Sequence, residues 1–419
     1  MKLEDIIAKV AESKSASKAV KYASGAATVT VFPIIIPSQN LYEGIGSVKK
    51  TPMILKSANG KKALVVTDAT LVKLGVINPM LEAMDAEGVS YVVYDGVEPN
   101  PSIENIEAAF DLYNKNGCDC IVGFGGGSAM DAAKVVSCRV AKPQMSVKQM
   151  GRMMGYFPVT LPVPAKTPYL LLIPTTAGTG AESTIAAVVS DHAEDKKYTI
   201  TDTAMRGDAV ILDASLAAGL PAYPTAITAI DAMSHCIEGY IGYGHNYRSD
   251  EHSERAVRLI FENIDAVIAD GKNLEGRQAL CTAAYLGGQA LNTATTGYVH
   301  PFCHKIGAKY GLAHGRCIGA VLPIMLEIYG PAVEKRLAKL GVAAGVSNPA
   351  STVSQQAKEF IAAIREFDQK FGIQANIPEI DEKDFEEIAD SIMVENFVYP
   401  TKKVFSREEI YNILRVIKG

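Results

Sequence analysis

The order of apolar runs limits this chain more than any other feature. From Lys62 onward, short β-branched runs alternate with amphipathic stretches: ALVVTD, TLVKLGVINPMLEAMDAEG, SYVVYDGV, SIENIEAAFDLYNKNG, CIVGFGGG and SAMDAAKVVSCRVA. Strand–helix–strand order implies a parallel sheet under helical cover, because parallel neighbours need a crossover long enough to hold a helix. Ser102 is placed to cap one of these helices and Gly117 to stop it. YLLLIPT, AAVVSD and AVILDA read as further strands. After about residue 217 the strand signals fade, and stretches such as SERAVRLIFENIDAVIADG and QAKEFIAAIREFDQKFG are helical. The expected fold is an α/β N-terminal domain followed by an all-helical C-terminal domain.

Length agrees with two domains, since 419 residues exceed one ordinary core. The expected division is a helical arm over 1–24, a sheet domain over 25–217 and a helical domain over 218–419. Leu3, Ile6, Ile7 and Val10 form one helical stripe in the arm, which either packs on its own protomer or docks a partner. ATVTVFPIIIPSQNLYEGIG reads as a strand broken by Pro33 and Pro37. A net charge of −5 gives no basic surface for nucleic acid. No apolar run approaches the ~20 residues a membrane span needs, and MKLEDIIAKV does not read as a secretory signal. Seven scattered cysteines without CxxC pairs suit a reducing cytoplasm better than a disulfide framework.

The chemistry concentrates in HPFCHKIGAKYGLAHG, from His300 to Gly315, which holds three of the chain's seven histidines. Upstream, IDAMSHCIEGY places Asp231 and His235 four apart, on one helix face. His300 and His304 share a face in the same way, and Gly311 and Gly315 bracket a turn able to bring His314 back. Asp231, His235, His300 and His314 are therefore candidate ligands of one divalent cation, which could polarise an oxygen at an open position. The plainer alternative for each histidine is a core ring with a satisfied hydrogen bond.

Two loops suit a nucleotide. GFGGGSAMDAAK ends a strand and opens a helix, so Gly125, Gly126, Gly127 and Ser128 could present N–H groups to a pyrophosphate. A tight structural turn is the alternative. PTTAGTGAEST offers Thr175, Thr176 and Thr179, whose hydroxyls could equally bond their own backbone. Asp68 ends the first strand of the alternation. It could accept from a ribose diol and repel a 2′-phosphate, which favours NAD over NADP, or it could cap a helix.

Together GGGSAMDAAK, PTTAGTGAEST, DAMSH and HPFCHKIGAKYGLAHG resemble the iron-containing (group III) alcohol dehydrogenases over residues 38–419. The resemblance implies a Rossmann-like nucleotide-binding domain and a helical metal domain separated by a cleft, the dehydroquinate synthase-like architecture. It implies Asp231, His235, His300 and His314 as ligands of Fe²⁺, with Zn²⁺ as the alternative. NAD contacts fall on Asp68, Asn100, Gly126, Gly127, Ser128, Thr175, Thr176, Thr179, Lys197 and Leu216. His304 matches an extra histidine near the nicotinamide, where it would shuttle a proton or hold the site by a hydrogen bond. Phe302-Cys303 and Lys305-Ile306 depart from the small and apolar residues usual there, which bears on substrate preference.

The expected activity is metal-dependent hydride transfer between a primary alcohol or diol and NAD, read in reverse as aldehyde reduction. A homodimer or larger assembly is implied. A glycerol dehydrogenase-like or dehydroquinate synthase-like enzyme, or a non-catalytic nucleotide- or metal-binding protein, stand as alternatives.

Overall fold

Runs that are apolar on both faces become the middle of a sheet. The computed structural model describes residues 7, 10–154, 167–194 and 196–419, without the side chains of residues 32, 33 and 152–154. Strands β1 (Asn40–Glu43), β2 (Lys62–Val66), β3 (Ser90–Tyr94), β4 (Cys120–Gly125), β5 (Tyr169–Pro174) and β8 (Ala209–Leu212) form one sheet, ordered β1-β8-β5-β4-β2-β3 with every pair parallel. Every residue of β4 and β8 is buried, as are all but the first of β2 and β5. That is the burial a parallel sheet covered on both faces requires.

Helices α2 (Thr51–Ser57), α3 (Ala69–Lys73), α4 (Asn78–Ala86), α5 (Ile103–Lys115), α6 (Gly127–Ala141) and α7 (Val147–Met154) connect these strands. Ser102 caps α5 in a reciprocal box with Asn105, and Gly117 follows the helix at φ +62°. The stretch around Pro79 is interrupted as its sequence suggests: α3 ends at Lys73, and Pro79 sits in the first turn of α4.

AAVVSD takes a different place from the other strands. It forms β6 (Ala186–Asp191), which pairs antiparallel with β7 (Lys196–Thr201) as a separate two-stranded ribbon. Its burial is interrupted at Ala186 and Val188, so it lacks the two-sided burial of the central strands.

ATVTV is helical. It closes α1 (Lys14–Thr30), which buries Ser17, Lys21, Gly25 and Thr28 along one stripe. Contacts along that stripe override the β preference of its valines and threonines. β1 begins only at Asn40, beyond both prolines. Of the expected arm stripe, Ile7 and Val10 are described; Leu3 and Ile6 lie outside the described residues.

The remaining helices are α8 (Ala222–Ile241), α9 (Tyr247–Ala269), α10 (Leu274–Ala294), α11 (Val299–Tyr310), α12 (His314–Tyr329), α13 (Glu334–Ala343), α14 (Val353–Lys370), α15 (Phe385–Glu395) and α16 (Arg407–Lys418). Two compact units result, and neither is one consecutive stretch. Residues 35–220 and 270–288 form the sheet-bearing unit, and residues 1–34, 221–269 and 289–419 form the helical one. Residues 270–288 join the sheet unit through Gln278, which accepts from Ala214 N at 3.1 Å and donates to Leu212 O at 3.1 Å. No helix among the described residues is long and apolar enough to cross a membrane.

One carboxyl in the helical unit gives a test of the packing. Asp368 on α14 is 4% exposed, and its Oδ1 has no hydrogen-bond partner. Burial pushes its pKa up to about 8. Between roughly pH 4 and 8 the folded chain keeps a proton that the unfolded chain has released, so stability from this group falls as pH rises through that window. Asp368→Asn, which cannot ionise, is expected to be stabilised by on the order of 1–3 kcal/mol at pH 8, with the gain vanishing near pH 4. Thermal unfolding of both proteins across this range checks it; a gain that does not change with pH contradicts the assignment.

Candidate metal centre and nucleotide loops

Three helices of the helical unit carry the cluster. Asp231 and His235 lie on α8, His300 and His304 on α11, and His314 opens α12. The turn between α11 and α12 is set by glycine. Gly311 takes φ +66° at the end of α11, a conformation costly for other residues. A Cβ on Gly315 would collide with the carbonyl of Ile227 on α8, so only glycine lets α12 begin this close to the helix bearing Asp231.

The result is a convergence on one oxygen. Asp231 Oδ1 lies 3.4 Å from His314 Nε2, 3.7 Å from His235 Nε2 and 3.9 Å from His300 Nε2. Asp231, His300 and His314 each offer a donor atom, all within 4.8 Å of one another. The His235 and His300 rings stack with centroids 4.7 Å apart. Asp231, His235 and His300 are buried, while His314 is partly exposed.

The electrostatics suit a cation. Burial pushes His235 and His300 down to about 3, which keeps both rings neutral and able to ligate. Burial opposes ionisation of Asp231, but His235, His314 and His300 outweigh it and hold the carboxyl below its usual range. Asp231 Oδ1 and His300 Nε2 are both buried without a hydrogen-bond partner. Such orphaned polar atoms are costly. A divalent ion among one carboxylate and neutral imidazoles would satisfy them, and this donor set suits Fe²⁺ or Zn²⁺.

Glu238 is a member that the sequence reading missed. It lies on α8 seven residues after Asp231, where helical periodicity could have placed it on the same face. It is buried, and burial pushes its pKa up to about 7. Its Oε1 accepts from Val299 N at 2.8 Å, and its Oε2 lies 2.5 Å from His300 Nδ1. That contact fixes the ring so that Nε2 points to the cluster, as carboxylates do for ligating histidines. Glu238→Gln is expected to weaken metal affinity by about 10- to 100-fold. Metal titration of the stripped protein measures this, and an unchanged affinity removes the role.

His304 sits beside the cluster, its ring centroid 5.2 Å from that of His314 and 5.7 Å from that of His300. Its Nδ1 lies 2.7 Å from Glu395 Oε1 at the end of α15, a second partner absent from the sequence reading. Sequence separation hides it, since the two residues lie 91 positions apart. Lys305 turns away onto Glu387 at 2.6 Å, and His245 lies against Asp250 at 3.5 Å.

In the sheet unit, strand order gathers the nucleotide candidates. β3 lies beyond β2 on one side, while β5 lies beyond β4 on the other, so the chain reverses direction between β2 and β4. Ligands of open α/β sheets bind at the carboxyl ends of strands at such a reversal. Asp68 follows β2, Gly126–Ser128 follow β4 and Thr175–Thr179 follow β5.

Asp68 caps α3: its Oδ1 accepts from Thr70 N at 2.9 Å and Leu71 N at 3.1 Å. Asn100, at φ +58°, donates its N–H to Ser128 Oγ at 3.2 Å and accepts from Lys197 Nζ at 3.0 Å. Asn100, Ser128 and Lys197 thus form one connected group.

Gly126 is the N-cap of α6, and a Cβ there would meet only Thr176, at 3.8 Å. At Gly127 a Cβ would meet Thr179 at 2.9 Å. The backbone at Gly126 is therefore open, with Thr176 and Thr179 bordering the helix start, which fits a pyrophosphate. Thr175 is buried and donates its N–H to Gly125 O at 2.9 Å, so its backbone ties the two loops together. Thr179 Oγ1 accepts from Ala181 N at 3.2 Å. Leu216 is 7% exposed and belongs to the hydrophobic core.

Comparison with known proteins points to one family. Residues 38–214 match the iron-containing alcohol dehydrogenase family, and residues 225–417 match the C-terminal region of the Fe-containing alcohol dehydrogenase family. The chain is 31% identical to alcohol dehydrogenase 4 of Saccharomyces cerevisiae over 89% of its own length and 95% of that protein. It is 29% identical to the NAD-dependent methanol dehydrogenase of Bacillus methanolicus, over 89% and 96% respectively. The solved structure of a 1,3-propanediol oxidoreductase superposes with a TM-score of 0.83 at 28% identity, covering 90% of this chain and 97% of that one. With both halves matched and near-complete relatives aligned, the chain belongs to the iron-containing alcohol dehydrogenase family.

Proposed function

We propose that the protein is a metal-dependent, NAD(H)-linked alcohol dehydrogenase that interconverts a small primary alcohol or diol with its aldehyde. The observation that carries the reading is the buried, unpartnered Asp231 Oδ1 ringed by His235, His300 and His314. When bound, the metal supplies Lewis-acid polarisation of an oxygen, and the dinucleotide accepts or donates hydride.

The chain's residues do the rest. Asp231 gives the site its negative charge, and the three imidazoles complete a four-donor set. Glu238 holds His300 in the ligating tautomer. Gly126, Gly127 and Ser128 receive the pyrophosphate, with Thr175, Thr176 and Thr179 alongside. Asn100 and Lys197 border them, Asp68 takes the ribose, and Leu216 packs nearby. His304, oriented by Glu395 through Nδ1, holds or passes the alcohol proton at its other ring nitrogen.

The methanol and 1,3-propanediol activities named for two relatives support small alcohols and diols as the substrate class. The family likeness supports a homodimer or larger assembly. Seven buried, unpaired cysteines suit a reducing cytoplasm. The described part of the arm packs on its own unit, while Tyr22 and Ile34 stay exposed for a partner or second copy. The deciding experiment is NADH oxidation against short aldehydes and hydroxyaldehydes, with metal analysis of the same preparation. Turnover that tracks metal content supports the reading; nucleotide binding without turnover on any of them defeats it.

A further inference from the structure

The family match begins at residue 38, so helix α1 precedes it. Its buried stripe is unusual in centring on a lysine. Lys21 is 2% exposed. Its Nζ donates to Asn396 O at 2.6 Å, to Asn396 Oδ1 at 2.6 Å and to Tyr399 O at 3.1 Å, and sits 5.2 Å from the centroid of Tyr298. Three acceptors from one short segment thus converge on a single amine.

The neighbours of Lys21 leave the helix little room to slide. A Cβ on Gly25 would stand 2.7 Å from Tyr243 Cβ. Tyr243 N in turn donates to Pro400 O at 2.6 Å, tying the same segment from its other end.

That segment leads to the centre. The turn Asn396–Val398 directly follows Glu395, the last residue of α15. Glu395 Oε1 is 2.7 Å from His304 Nδ1 and accepts from the Tyr399 hydroxyl at 3.4 Å. His304 stacks on His314. Resting on the dehydrogenase reading above, we infer that the N-terminal helix is a positioning element for the active centre. Lys21 clamps the 396–399 turn, the turn fixes the Glu395 carboxylate, and Glu395 fixes the His304 ring.

A buried amine that donates to three carbonyl oxygens fixes the turn that follows α15. Without it, Asn396 Oδ1 loses its donor, Asn396 O and Tyr399 O keep only the N–H groups of Tyr399 and Thr401, and a buried acceptor left open is costly. The expected loss therefore passes through His304 rather than through the whole fold.

The experiment uses the full-length, metal-loaded protein as Lys21→Met, alone and combined with His304→Gln. Lys14→Ala, which removes the exposed contact of α1 with Glu409, is the control. Lys21→Met is expected to lose about ten- to a hundredfold in kcat, the scale of a displacement on the order of 1 Å. The loss should shrink to within about twofold in the His304→Gln background, because both changes act on one group. Hydrogen exchange should quicken over residues 393–405 in Lys21→Met and not in Lys14→Ala.

Equal losses in both backgrounds, or unchanged exchange, overturn the inference. Should Lys21→Met fail to fold, Tyr399→Phe replaces it, removing the hydroxyl that bonds Glu395 and Thr296; additive losses with His304→Gln then overturn it. If the wild-type protein turns over no aldehyde, the dehydrogenase reading fails separately. The exchange comparison still decides whether Lys21 clamps the turn.

Discussion

Asp231→Ala is expected to abolish metal binding and turnover together. Its Oδ1 is the point nearest to all three rings, between 3.4 and 3.9 Å from each. Removing it takes away the anion among the imidazoles, which lose most of their hold on a divalent ion. Metal content should fall below about a tenth of the wild-type level and kcat by about a thousandfold or more, since a ligand matters more than the outer-shell partners worth 10- to 100-fold. The metal-free variant should be less stable than the stripped wild type near neutral pH, because the histidines that hold the carboxyl ionised lose their partner. Elemental analysis, kinetics and unfolding on one preparation measure all three. An Asp231→Ala protein that keeps its metal and its activity would remove the proposed centre.

Gly126→Val addresses the other half of the chemistry. Gly126 has φ −75° and ψ −174°, a region open to any residue, and the nearest atoms to a Cβ are 3.8 Å away on Thr176. The fold should therefore accept the side chain, with a melting temperature close to that of the wild type. The added methyls would occupy the space over the start of α6, where the proposed pyrophosphate would meet the backbone N–H groups. An increase of about a hundredfold in KM for NADH is expected, roughly the free energy of one or two hydrogen bonds to a charged group. Gly127→Ala contrasts with it: its Cβ would press Thr179 at 2.9 Å, so stability should suffer as well. Unchanged NADH binding in Gly126→Val would move the nucleotide elsewhere.

The parts of this molecule legible in the sequence are those governed by local period. Parallel strands buried on both faces write unbroken apolar runs, so β2, β4 and β5 stood out. Asp231 and His235 were legible as one face of a helix because four residues make about one turn. What stayed hidden depends on distant contacts. ATVTV has β composition, yet the stripe from Ser17 to Thr28 binds it as helix. AAVVSD looks like a sheet strand, and its pairing with Lys196–Thr201 into a separate ribbon follows from register alone. Glu395 reaches His304 across 91 residues, a distance at which periodicity carries no signal. Asp68 left two roles open, and its two backbone hydrogen bonds display the capping one.

That cap has a bearing on protein engineering. The usual route to a phosphorylated dinucleotide is to replace the acidic residue that excludes its extra phosphate with a small neutral one. Here Asp68, the carboxylate proposed for that place, closes the first turn of α3, and losing a cap costs about 1 kcal/mol. Coenzyme exchange in this scaffold therefore carries a built-in toll on folding, one that serine, able both to cap and to tolerate the phosphate, would keep smallest.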